Sequence, residues 1–146
     1  MAACTGWISN PAYSEQPQTI NSQINDISAL RGVTPILFLE ILKTRQAPII
    51  SFKEPIKGWV RKEHLAELIA LSRSQVPCSS VKLLVSSYAD LRNSTVGQEA
   101  VFMILGFKKG EYPPKLNSIR FDMADDDLQR ENDEIVQWAK QELEKK

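Results

Sequence analysis

Apolar residues recur along this chain at the spacing of an α-helix. Between Thr34 and Phe107 they repeat every three or four residues, which places their side chains on one helical face. A short stripe before Gly32 starts the series and consists of Ile24, Ile27 and Leu30. The pattern predicts a mainly α-helical fold of about five helices, either a small helical bundle or stacked helical hairpins of the HEAT-like kind.

The first long helix is expected to run from Ile36 to Arg45. Thr34 can cap its start, and Pro35 suits the first helical position because its missing amide hydrogen would have no helical partner there. Leu37, Ile41 and Thr44 are expected on one inner face, which Phe38, Leu39 and Leu42 widen.

Two prolines, Pro48 and Pro55, interrupt the pattern between Ala47 and Trp59. This stretch is expected to be a loop with an apolar underside and one short extended piece at residues 49–52. Helix is expected again at residues 61–73, with inward positions at Leu65, Leu68, Ile69 and Ser72.

A further helix is predicted after Ser79 or Ser80, which can cap it. Its apolar stripe comprises Val81, Leu84, Val85, Tyr88 and Leu91.

The clearest helix boundaries follow. Thr95 and Gln98 have the spacing of a capping box, and Gly110 suits the left-handed residue that ends a helix. The expected buried face comprises Val96, Ala100, Met103, Ile104 and Phe107.

The last helix is expected to begin at Asp125–Asp127 and to end near Lys145. Negative charge at its first turn and positive charge at its last turn complement the helix dipole. Its few apolar residues predict that it packs by one edge.

Length and composition fit one domain. The chain has 146 residues, of which 42% are hydrophobic and 25% charged. We expect a soluble helical domain at residues 21–146, preceded by a flexible segment or tether at residues 1–20. Because 18 basic residues balance 18 acidic residues, no overall field favours nucleic acid or anionic lipid, and the expected partner is another protein.

Ala2, Ala3 and Cys4 resemble the end of a bacterial lipoprotein signal, in which the cysteine is lipidated after cleavage. This interpretation places the protein in the bacterial envelope or periplasm, with the membrane reached only through a lipid anchor. The alternative is a frayed cytoplasmic N-terminus with an incidental Cys4. No disulfide with Cys78 is expected, because a flexible residue 4 gives the two cysteines no reason to meet.

The sequence contains no evident catalytic set or cofactor motif. His64, the only histidine, could face Glu67 one turn along a helix, but no nucleophile motif accompanies it. Asp122 and Asp125–Asp127 lack the ligand spacing of a calcium loop and better suit a helix start. Trp59 and Trp138 are expected to pack in or near the core.

The basic stretch at the end of the helix capped by Thr95 is the nearest approach to a nucleic-acid pattern. It contains Phe107, Lys108, Lys109, Tyr112 and Lys115. A helix end followed by a proline-stiffened loop explains it better, so we expect no nucleic acid and no metal or other cofactor.

Residues 58–114 resemble small uncharacterised bacterial envelope lipoproteins. The shared pattern is GWV at 58–60, SSY at 86–88, STVGQEA at 94–100, and GFxxGxYPP at 106–114. The resemblance implies an envelope location and supplies no activity. It leaves surface residues as candidate partner contacts: Tyr88, Arg92, Lys108, Lys109, Tyr112 and Lys115.

Three functional hypotheses follow from the sequence. The leading one is a non-enzymatic binding protein of the envelope, of the inhibitor or immunity type, that uses a helical face or the loop at residues 108–115. The second is a hydrolytic enzyme in which His64 works with a carboxylate. The third is a purely architectural helical protein.

Overall fold

The computed structural model describes residues 27–45, 49–51, 54–83, 94–114 and 125–146. Within these ranges the protein is mainly helical, as predicted, with four α-helices rather than about five. The helices are α1 (Pro35–Thr44), α2 (Leu65–Leu71), α3 (Val96–Lys109) and α4 (Asp125–Glu144). Two 3-10 helices, Ile27–Gly32 and Lys62–His64, precede α1 and α2.

Six short strands form three two-stranded sheets within the described ranges. The strands are β1 (Ile49–Ser51), β2 (Ile56–Lys57), β3 (Pro77–Cys78), β4 (Val81–Leu83), β5 (Ser94–Thr95) and β6 (Glu111–Tyr112). β1 pairs with β4 in parallel, while β2 pairs with β6 and β3 with β5 in antiparallel fashion.

The strand β4 contradicts the helix predicted from Val81. Ile49 pairs with Val81 and Ser51 with Leu83. The backbone of Val81–Leu83 therefore makes hydrogen bonds to another strand rather than within a helix. A short apolar run rich in β-branched residues cannot be assigned to helix or strand by periodicity alone. The remainder of that predicted helix, residues 84–93, lies outside the described residues, as do Tyr88 and Arg92.

Helix α1 starts as predicted, but its inner face is different. The Leu37 amide donates to the Thr34 hydroxyl over 3.3 Å, which confirms the N-cap. Leu37 itself is 40% exposed, whereas Phe38, Leu39 and Leu42 are fully buried. The face that carries Phe38, Leu39 and Leu42 therefore points inward. Leu37 and Thr44 are exposed, so their predicted position on the inner face was wrong.

Helix α3 lies at the centre of the fold. Thr95 caps it by accepting the Gln98 amide over 3.2 Å, and Gly110 ends it with a positive φ of 76°. It packs against α1, α2, α4 and β6. Nine of its residues are buried, including Val96, Ala100, Met103 and Ile104, which confirms most of the predicted face.

Helix α4 packs on α2 and α3 by a narrow edge, as expected. Among its 20 residues only Asn132, Ile135 and Ala139 are buried. No helix among the described residues has the length and apolar character needed to cross a membrane. The segment 1–20 with Cys4 lies outside the described residues.

Candidate functional site

Three exposed lysines lie at the C-terminal end of α3. Lys108 and Lys109 form the last turn of the helix, and both side chains are exposed. The third is Lys57, which the pairing of β2 with β6 brings opposite Glu111. The Gly58 amide also donates to the Gly110 carbonyl over 3.3 Å. We call Lys57, Lys108 and Lys109 the basic corner.

No carboxylate among the described residues lies within ion-pair distance of these three ammonium groups. Lys108 instead places its ammonium nitrogen 5.0 Å from the ring centroid of Trp138, a cation–π geometry. Among the described residues, Lys57 and Lys109 have no ion-pair partner. The sequence indicated Lys108 and Lys109, but Lys57 joins them only through the strand pairing, which the sequence did not predict.

Tyr112 is not a surface residue, contrary to the prediction. It is 1% exposed, and its ring lies 4.8 Å from the Trp59 ring and 5.9 Å from the Phe102 ring, between centroids. Pro113 and Pro114 are buried as well. The chain after Gly110 therefore turns back into the core, where the Tyr112 ring packs against these two aromatic rings and against Phe38, at 6.4 Å between centroids. Lys115 lies outside the described residues.

Trp59 and Trp138 both pack as expected. Trp59 is 9% exposed, and its indole nitrogen donates to the Leu30 carbonyl over 3.1 Å and to the Val33 carbonyl over 2.7 Å. Trp138 is half-buried and lies 6.1 Å from the Phe107 ring, centroid to centroid.

His64 has a local structural role in the turn that starts α2. Its Nδ1 accepts the Arg61 amide over 3.0 Å, and its own amide donates to the Arg61 carbonyl over 3.0 Å. The nearest carboxylate to its Nε2 is that of Glu63, at 3.6 Å, rather than Glu67 as predicted. One ring nitrogen is thus already engaged in ordering the helix start.

The acidic start of α4 fits the helix-dipole explanation, but its last turn ends at Glu144 and contains no basic residue, so the predicted positive end was wrong. Asp125 and Asp126 are exposed, and Asp127 accepts a hydrogen bond from Arg130 over 2.7 Å. Asp122 lies outside the described residues. Nowhere in the described ranges do three histidine, cysteine or acidic side chains come together as a metal site.

Three buried polar residues influence one another electrostatically in the core. These residues are Cys78, Glu99 and Tyr112, which are 5%, 5% and 1% exposed. Burial, and secondarily the nearby Glu99 carboxylate, raises the pKa of the Cys78 thiol to about 12, while Lys43 partly offsets this. Burial also raises the pKa of the Tyr112 phenol well above its ordinary value, with further contributions from Glu99 and Cys78. A thiol that stays protonated is a poor nucleophile.

Comparison with known protein families, curated proteins and solved structures finds no match to this chain.

Proposed function

We propose that this chain is a non-enzymatic binding protein of the bacterial envelope that occludes another protein, in the manner of an inhibitor or immunity protein. The observation that carries the proposal is the basic corner, in which Lys57 and Lys109 are exposed and have no ion-pair partner among the described residues. Three lysines around one acidic residue, Glu111, leave this corner net positive, and net charge of this kind guides encounter and selects a partner of complementary charge.

The rigidity of this corner supports the proposal. Lys109 is the last residue of the 14-residue helix α3, which ends at Gly110, and Lys57 lies on β2, which pairs with β6 directly after α3. Side chains presented from ordered backbone lose less conformational entropy on binding. In this proposal α2, α3 and α4 act as stacked helical hairpins of the HEAT-like kind that hold the corner in place.

The envelope location rests on the Ala2-Ala3-Cys4 sequence and on the lipoprotein-like pattern at residues 58–114. Lipidation at Cys4 would anchor the domain and let residues 5–20 act as a tether. Mass spectrometry of the native protein tests this directly. A lipidated N-terminal Cys4 is the expected result, while an unmodified N-terminus at Met1 or Ala2 supports the cytoplasmic alternative.

The binding proposal is tested with affinity-tagged protein in native envelope extract, followed by titration of the purified partner. Lys109→Glu and Lys57→Glu are each expected to weaken binding at least about tenfold, since each reverses a charge at the corner. Lys140→Glu is the matched control, because Lys140 is an exposed lysine on α4. Failure to recover any reproducible partner at several salt concentrations would count against the proposal.

The other hypotheses predict different results in the same assays. An architectural protein would tolerate Lys109→Glu without any phenotype. A hydrolase that uses His64 would lose its activity in His64→Ala with little change in the thermal midpoint. The His64–Arg61 hydrogen bond instead leads us to expect a small loss of stability from this substitution.

A further inference from the structure

We infer that α4 is a displaceable helix, which undocks from α2 and α3 as a unit before the rest of the protein unfolds. We further infer that the surface of α2 and α3 uncovered in this way, here called the seat, accepts a second amphipathic helix with the same arrangement of apolar and charged residues as α4. This inference does not depend on the proposed function of the basic corner.

The contact surface between α4 and the two helices beneath it, α2 and α3, is narrow. Only three of its 20 residues are buried, and one of them is the polar Asn132. Helix α3, with 14 residues, buries nine. Because the stability of a docked helix comes mainly from the apolar surface it buries, α4 is held less firmly than α3.

Two polar contacts between the body and residues 125–145 lie at exposed positions. Arg73 approaches Asp133 at 3.4 Å, with 82% and 49% of their side chains exposed. Lys62 donates to the Lys145 carbonyl over 2.6 Å, also in an exposed position. Exposed pairs of this kind contribute little to stability, so they orient α4 more than they retain it.

Trp138 makes the aromatic contacts of α4 with the end of α3. Its ring packs against Phe107 and under the Lys108 ammonium group. When α4 leaves, Phe107 loses its aromatic partner and the covered side of α2 and α3 is exposed. An apolar groove between two helices is a common seat for an amphipathic helix.

The chemistry of α4 defines the occupant of this seat. It is a helix with apolar or small residues at Ile135, Trp138 and Ala139 and with charged residues on its outer face. A second copy of residues 125–144 meets this requirement fully, so a synthetic peptide of that sequence is the appropriate probe.

Native-state hydrogen exchange on the full chain tests the first part. Amides of residues 129–143 are expected to share one opening free energy that is smaller than that of residues 100–106. Trp138→Ala should increase exchange of the α4 amides about tenfold and leave those of α3 unchanged. Gln137→Ala, at the adjacent exposed position, should change neither. Equal opening of α3 and α4 in the wild-type chain would overturn the inference.

Binding of the fluorescently labelled peptide to the full chain tests the second part. The apparent affinity is the intrinsic affinity multiplied by the fraction of open molecules. Trp138→Ala in the chain should therefore raise the apparent affinity about tenfold over wild type, while Gln137→Ala leaves it unchanged. Absence of peptide binding to the Trp138→Ala chain, or equal binding to all three chains, would overturn the proposed seat.

Discussion

The Gly97 amide donates a hydrogen bond of 3.0 Å to the Ser74 carbonyl oxygen, and a β-carbon added at Gly97 would lie only 2.7 Å from that oxygen. It would also lie 2.6 Å from the Ser72 carbonyl oxygen. The first turn of α3 therefore sits directly on the backbone that ends α2, and only glycine permits this distance.

Replacing Gly97 by alanine is expected to destabilise the protein, because backbone atoms must shift to admit the methyl group at a cost of about 1–3 kcal/mol. The roughly 1 kcal/mol that alanine gains over glycine in a helix offsets only part of this cost. Urea unfolding measures the difference. Gly32→Ala is the control, since a β-carbon there meets nothing within 4 Å. A Gly97→Ala protein as stable as wild type would contradict the observed packing.

The Trp59 indole ties the first 3-10 helix to the core through its bonds to Leu30 and Val33. Trp59→Phe retains an aromatic ring but removes the donor, so it should lower the free energy of unfolding by about 1–3 kcal/mol. Hydrogen exchange should also accelerate at the Val33 amide, which bonds the Leu30 carbonyl. Unchanged exchange there would mean that the indole bonds do not hold this segment.

Local chemistry explains which parts of the fold were predictable. The start of α3 at Thr95 and its end at Gly110 depend on residues within one turn, so the sequence predicted both. The pairing of Ile49 with Val81 depends on two segments far apart in the chain, and periodicity gave no sign of it. The burial of Tyr112 likewise requires rings from α1 and α3, which is why its surface role was wrongly predicted.

The same distinction applies to the candidate site. Lys108 and Lys109 were accessible to sequence reasoning because a helix end favours exposed lysines. Lys57 joins them only through β2 and β6, which are two residues each. An apolar residue followed by lysine before a glycine was too weak a signal to predict that pairing.

Tyr112→Phe is expected to stabilise the protein at pH 7 by about 1 kcal/mol. The Tyr112 hydroxyl is buried and has no hydrogen-bond partner among the described residues, so its removal eliminates an uncompensated desolvation cost. Thermal or urea unfolding measures this. A loss of stability larger than about 1 kcal/mol would show that the hydroxyl is hydrogen-bonded in solution.

The same variant should change the alkaline limit of stability. The folded protein raises the pKa of the Tyr112 phenol above its ordinary value of 10.0, so the unfolded chain loses this proton first. Stability should therefore fall as the pH rises above about 10, and the fall should be smaller in Tyr112→Phe. Parallel pH profiles for the two proteins would contradict the assignment.

The Cys78 thiol is expected to resist alkylation in the folded protein. Its pKa of about 12 leaves roughly one molecule in 10,000 as thiolate at pH 8, and its side chain is buried. The test uses a Cys4→Ser background, in which Cys78 is the only thiol, and follows reaction with iodoacetamide by mass spectrometry. Reaction should be at least about 100-fold slower than in urea-unfolded chain.

The unfolded thiol ionises near pH 9.0, below the folded value, so Cys78 should also favour unfolding between about pH 9 and pH 12. Cys78→Ala removes this contribution to the pH dependence of stability and leaves the contribution from Tyr112. In the alkylation experiment, a fast reaction of native Cys78 at pH 8 would show that a local opening exposes the thiol.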